Sequence, residues 1–306
     1  MLNSFQSPGE VAFYIFDMPV YFYGILMALA VFVGFCVTDY LYNKLQQINV
    51  ATTSPLEREG KNNLILDISP LLIISGIIGA RLYYCLINYS YYIQKPLEIF
   101  FIRQGGLSIH GAIIAGTLAL FYFSKKYKVP FLSLTDVFLC GTILAQSIGR
   151  WGNFFNSEAF GYPCDLPWKL YIPISHRPLE YINFEYFHPT FLYESLLDFC
   201  IFLILIKVIT LNGKLKVESG KLNNFQFFTF NFPLSTYKPG IITSLYLILY
   251  ACARIFVEHF RIDSALNISG IPIAQITSAV MLLLGILLIL YINFFNGKNS
   301  TPPTMP

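Results

Sequence analysis

Long apolar runs alternate with short polar stretches along nearly the whole chain. A helix needs about 20 mostly apolar residues to cross a hydrocarbon layer of roughly 30 Å. Runs of this kind fall at 19–41, 67–88, 109–124, 131–149, 189–211, 240–260 and 272–295. They predict an all-α integral membrane protein with seven transmembrane helices. The third run is short and opens on Gly105-Gly106-Leu107-Ser108-Ile109-His110-Gly111, so its first turns are expected to be irregular. Irregular backbone at membrane depth is tolerated only where protein buries it or it lines a cavity.

The polar stretches set the orientation. Lys44, Arg58 and Lys61 follow the first run, and Lys125, Lys126 and Lys128 the third. Lys214, Lys216, Lys221 and Lys238 follow the fifth, and Lys298 the seventh. Basic loops stay in the cytoplasm, so the N-terminus is expected outside and the C-terminus inside. The resulting division is an outer segment at 1–18, a spanning domain at 19–295 and a disordered cytoplasmic tail at 296–306. Within the domain, 162–187 carries Pro163, Pro167, Pro173 and Pro178 among aromatic residues and predicts a small periplasmic cap. The cytoplasmic loop 212–238 contains the aromatic run Phe225–Phe232, which suits a short hairpin or the lipid headgroups.

Composition agrees with a bilayer. Of 306 residues 55% are hydrophobic and 12% charged, against roughly 25% charged in globular chains. A net charge of +3 is too small to point to nucleic acid. The six cysteines form no CxxC pair, and five lie in apolar runs, which argues against a disulfide framework or a zinc site. The four histidines form no ligand cluster, and no glycine-rich Lys-Ser/Thr loop is present, so neither metal nor nucleotide is expected. The first apolar run has no Lys or Arg before it, unlike a secretory signal.

Ionisable groups inside apolar runs cost on the order of 2.5–3.5 kcal/mol each and need a reason. In the sixth run Tyr250, Arg254, Glu258 and Arg261 recur at helical spacing, so one face carries all four. An internal Arg254–Glu258 pair and a ligand-facing stripe are the two explanations. Arg81, in the second run, has partners to choose from in Glu258, Glu194 or a ligand. His110 is either a packing residue or a group that the flanking glycines open to a substrate. On the expected topology Tyr23, Arg103–His110, Arg150–Gly161, His188–Glu194 and Arg254–Arg261 converge on the outer half of the membrane. An anion transporter would use such arginines too, but would need an aqueous route across.

The most informative stretch is Gly149-Arg150-Trp151-Gly152-Asn153-Phe154-Phe155-Asn156-Ser157-Glu158-Ala159-Phe160-Gly161, where the fourth run gives way to polar residues. Read alone, it is a membrane-edge loop suited to an anion. Its order of residues resembles the signature of the bacterial prolipoprotein diacylglyceryl transferases. Five further blocks stand in that family's order: Tyr23-Gly24, Gly79-Ala80-Arg81-Leu82, Gly105–Gly111, His188-Pro189-Thr190-x-Leu192-Tyr193-Glu194 and Arg254-x-x-x-Glu258-x-x-Arg261.

The resemblance implies a seven-span enzyme of the bacterial inner membrane, working without a cofactor. It would move the diacylglyceryl group of phosphatidylglycerol to the lipobox cysteine of a preprolipoprotein, giving a thioether and glycerol 1-phosphate. A phosphate leaving group gains negative charge as the bond breaks, and fixed guanidinium groups in a dry site stabilise it. Arg150 and Arg254 match the family's essential arginines, with Asn153 amide donors expected to support Arg150. Glu158 and Glu258 are expected to orient the two arginines, Gly161 to border the substrate, and Tyr23 and Tyr250 to bond the headgroup or a proton chain. His110 matches the histidine proposed as base for a thiol whose free pKa lies near 8.5. Arg81, Glu194 and Arg261 are expected to support the site. The loop 212–238 is longer than the family leads one to expect.

Overall fold

The computed structural model describes residues 5–49, 63–102, 105–214, 238–262, 267–268 and 271–297. Arg103, loop residues 215–237 with their aromatic run, and the tail from 298 lie outside the described residues.

The chain begins with strands rather than a plain tail. After β1 (Phe5–Gln6), β2 (Val11–Ile15) and β3 (Met18–Tyr21) form an antiparallel hairpin that pairs Ile15 with Met18. Phe16 and Asp17 close it, both at positive φ (45° and 63°), as a two-residue hairpin turn with right-handed strand twist requires. Helix α1 (Phe22–Asn49) therefore starts three residues later than hydropathy suggested. Residues 19–21 are apolar, but their backbone is engaged by β2.

Helices α2 (Leu64–Ile87) and α3 (Tyr89–Gln94) and a 3-10 turn at Pro96–Phe100 follow. The glycine segment is irregular: Gly105 and Gly106 sit at φ 88° and 74°, and α4 (Ile109–Lys126) begins only after them. Helix α5 (Phe131–Phe155) comes next, then β4 (Leu170–Tyr171) and β5 (Tyr186–Phe187). Last come α6 (Thr190–Lys214), α7 (Ile241–Glu258), the β6 (Asn267–Ile268) and β7 (Ile271–Pro272) pair, and α8 (Ile273–Gly297).

Among the described residues, five helices are long and apolar enough to cross a membrane: Phe22–Gln46, Leu64–Ile87, Phe131–Phe155, Ile241–Glu258 and Ile273–Phe294. Their outer faces are apolar, as in α8, where Leu283, Leu287, Leu290 and Phe294 are all exposed. Helices α4 and α6 are more polar: Lys125 and Lys126 close the first, while Glu194, Asp198 and Lys207 lie along the second.

The internal contacts divide the chain into two units, 1–37 with 138–306, and 38–137. In the smaller unit α2 and α4 pack closely where Gly79 faces Gly111. In the larger, α7 packs on both α6 and α8. Residues 162–187 there form a small folded region. Strand β4 pairs with β5 and, in parallel, with β1 from the chain start. Its core joins Leu170, Ile172 and Phe187 to Phe154 at the end of α5 and Phe191 at the start of α6. Phe5 stacks on Phe154 at a centroid distance of 4.9 Å. These contacts fix the end of α5 against the start of α6, where the polar residues gather.

Candidate active site

The signature stretch is mostly helix. Sequence reasoning placed a loop from Gly149, but α5 continues through Arg150 to Phe155. Polar side chains do not themselves end a helix; a change of backbone conformation does. That change comes at Ser157 (φ 50°), where the Ser157 N–H donates to the Phe154 carbonyl (3.2 Å) and the Glu158 N–H to that of Asn153 (3.0 Å). This is a Schellman cap with serine in the left-handed position usually held by glycine.

The cap folds Glu158 back over the helix end. Its Oε1 accepts from the amides of Asn153 (2.8 Å) and Asn156 (3.3 Å). Asn153 and Glu158, both expected beside Arg150, bond each other, because the cap brings residues 153 and 158 together.

Two glycines allow close approach around the cap. A Cβ on Gly152 would stand 2.6 Å from the Tyr23 ring, which packs against α5 at this point. A Cβ on Gly161 would overlap the Phe260 carbonyl and come within 2.8 Å of Thr190. The Gly161 N–H donates to the His188 carbonyl (2.8 Å), and Gly161 bridges to Arg261. The neighbours of Gly161 are thus protein atoms from His188, Thr190 and Phe260, which draw the ends of α5, α6 and α7 together.

At that junction three arginines meet one carboxylate. Glu194, its side chain only 2% exposed, accepts a hydrogen bond from Nη2 of Arg150. Arg254 Nη1 donates to both its oxygens, at 3.2 and 3.1 Å, and Arg261 Nη1 lies 3.7 Å away. Arg254 also pairs through Nη2 with Glu258 at 3.0 Å. The internal Arg254–Glu258 pair is therefore real, but it belongs to a larger cluster. Tyr250 lies against Arg150 and stacks on Tyr246, whose hydroxyl donates to Gln146 (3.0 Å). Arginines from α5 and α7, about 100 residues apart in sequence, thus share a partner on α6. Three cations thus face Glu194 and Glu258 in this cluster, a concentration of guanidinium groups suited to an anion.

The other unit holds Arg81 and His110. Arg81 forms no ion pair among the described residues of that unit. Its guanidinium donates to the carbonyls of Ile99 (2.8 Å), Gly105 (2.8 Å), Gly106 (3.0 Å) and Glu98 (2.6 Å). These carbonyls belong to the 3-10 turn and to the glycine segment before α4, where the backbone is not α-helical and leaves oxygens open to a side-chain donor. His110 is exposed on the first turn of α4, its ring 6.0 Å from that of Tyr83.

Sequence reasoning missed other groups. Trp168 donates to the Tyr193 hydroxyl (3.0 Å), which in turn faces His188 Nδ1 (3.1 Å). Ser147 and Ser195 bond each other's carbonyls, both at 2.8 Å, and lock α5 to α6. Asp198 is wholly buried one turn from Glu194. The i, i+4 spacing of two acids in an apolar helix was the signal that could have found it.

Comparison with known proteins covers most of the chain. A family model described as Prolipoprotein diacylglyceryl transferase matches residues 10–291. Curated relatives named phosphatidylglycerol–prolipoprotein diacylglyceryl transferase include one from Nostoc sp., 42% identical over 92% of this chain and 88% of its own. Another, from Synechococcus elongatus, is 41% identical over 97% of this chain and 91% of its own. A third, from Synechocystis sp., is 41% identical over 92% and 89%. Matched along nearly its whole length, the chain belongs to the prolipoprotein diacylglyceryl transferase family.

Proposed function

We infer that Arg150 and Arg254 hold the phosphate of the lipid substrate and stabilise it as it leaves. As a member of its family the chain is a transferase, moving a diacylglyceryl group from phosphatidylglycerol to prolipoprotein. The observation that carries the site reading is the shared carboxylate. Two guanidinium groups that reach the same Glu194 from different helices are close enough to share one phosphate.

In this reading the acceptor is the lipobox cysteine of a preprolipoprotein. Its sulfur attacks the glycerol carbon, the carbon–oxygen bond to phosphate breaks, and glycerol 1-phosphate departs. The developing charge falls on oxygens facing the arginines, and low local dielectric strengthens that attraction. Glu194 and Glu258 keep the forks aimed, and Arg261 supports them. Tyr250 and Tyr23 flank Arg150 and offer hydroxyls to the headgroup. Asn153 and Glu158 form the cap beside them, and Gly161 acts by keeping the helix ends together. His110 takes the thiol proton.

The protein then sits in the bacterial inner membrane with seven spans, α4 and α6 completing the five more apolar helices. The N-terminus and the 162–187 cap are periplasmic, and the C-terminus is cytoplasmic; the distribution of Lys and Arg supports this orientation. The site then opens to the outer leaflet. The test uses purified protein, phosphatidylglycerol and a lipobox peptide, with glycerol phosphate release measured. Arg150→Ala and Arg254→Ala should each lose at least about 100-fold in rate while still inserting in the membrane. Undiminished release by either variant would remove that arginine from the site.

A further inference from the structure

Asp198 takes no part in the chemistry above, yet it is the most confined acid in the cluster. It lies one helical turn beyond Glu194 on the same face of α6 and is 0% exposed. Neither carboxylate oxygen meets a hydrogen-bond donor among the described residues. The charged and titratable groups facing it are Arg150 from α5, Arg254, Tyr250 and Tyr246 from α7, and Glu194 on its own helix. Both arginines spend N–H groups on Glu194, so their attraction reaches Asp198 without a bond.

Burying an ionised carboxylate without a donor is far more costly than burying the neutral acid. The charge count points the same way. Arg150, Arg254 and Arg261 face Glu194 and Glu258, which leaves one positive charge over. A phosphodiester headgroup carries one negative charge, so the cluster balances when the lipid is bound and Asp198 is uncharged. An ionised Asp198 would place a second, uncompensated negative charge beside the phosphate.

We propose that Asp198 is the proton-holding residue that sets the charge of the arginine cluster, so that the lipid phosphate binds to the form in which Asp198 is a carboxylic acid. It is a positioning residue, acting through Arg150 and Arg254, and the proposal rests on their holding the phosphate. The linkage has a definite sign. A proton on Asp198 favours the anion, so lipid affinity falls as pH rises and Asp198 ionises.

The experiment is equilibrium binding of short-chain phosphatidylglycerol to the full-length protein in detergent, against pH, with no peptide so that no substrate thiol titrates. Wild-type affinity should weaken towards alkaline pH. Asp198→Asn should bind at least as tightly and lose that slope. An Asn variant that keeps the wild-type slope overturns the proposal. So does one that binds tenfold or more weakly at every pH while unfolding at the wild-type temperature. Should Asp198→Asn fail to fold, infrared difference spectra of wild-type protein with isotope-labelled aspartate decide. The protonated-carboxyl band should be present with lipid bound, and its absence overturns the proposal. Arg150→Ala is run alongside: retained lipid binding there sinks the arginine reading, whereas loss there with an unchanged Asn slope sinks the Asp198 proposal alone.

Discussion

Glu194 compensates three guanidinium groups while its own side chain is almost wholly enclosed. Removing one partner of a buried ionic cluster leaves the others stranded, at about 3–5 kcal/mol. Glu194→Ala should therefore lower stability by about that much in reversible denaturant unfolding of the micelle-bound protein, as well as abolish transfer. Ser157 offers the opposite case. A left-handed backbone costs an ordinary residue roughly 1–2 kcal/mol and glycine little. Ser157→Gly should raise the unfolding temperature and leave transfer unchanged; a lower one would mean that the serine hydroxyl matters more than its φ. The sequence marked Arg150, Arg254, Glu258 and Arg261 because their spacing is local. It could not show that Glu194 is the hub, because that depends on where α5, α6 and α7 end. Nor could it show Arg81 serving backbone carbonyls, since that depends on where the 3-10 turn and the glycine pair place those of Glu98, Ile99, Gly105 and Gly106.

The elements around the site are tied together by few bonds. Trp168 of the 162–187 region donates to the Tyr193 hydroxyl on α6, which also shares a hydrogen bond with His188 Nδ1. Burial holds His188 below the ordinary histidine value. A group depressed in the folded state contributes stability above its unfolded value, about 6.5 for histidine, and loses it as pH falls. Stability should thus drop as pH falls below about 6.5, and less so in His188→Gln, as thermal unfolding at several pH values would reveal. An equal drop in both would assign the effect to other groups. At this scale the long helices were legible from hydropathy. The start of α1 and the end of α5 were not, because a hairpin claims residues 19–21 and a Schellman cap, not polarity, ends the signature helix.

For the whole molecule the central feature is a polar cluster built where three helix ends meet, in a chain whose outer faces are apolar. Topology is open to direct test. With native cysteines replaced, Leu179→Cys in the exposed 162–187 region should react with an impermeant thiol reagent in intact spheroplasts. Lys128→Cys should react only after permeabilisation, and labelling of both from one side would contradict the orientation. The sequence conveyed the membrane class and the order of the blocks. The bringing together of Tyr23, Arg150 and Arg254 required tertiary packing, above all the close approach at Gly152 and Gly161. The most direct measurement is single-turnover glycerol phosphate release by Arg150→Lys and Arg254→Lys, each with phosphatidylglycerol and a lipobox peptide. A lysine keeps the charge but not the planar fork of donors. The expected result is that both variants fall at least about 100-fold below wild type. Full-rate release by both would contradict the guanidinium grip on the phosphate and leave only a general positive charge.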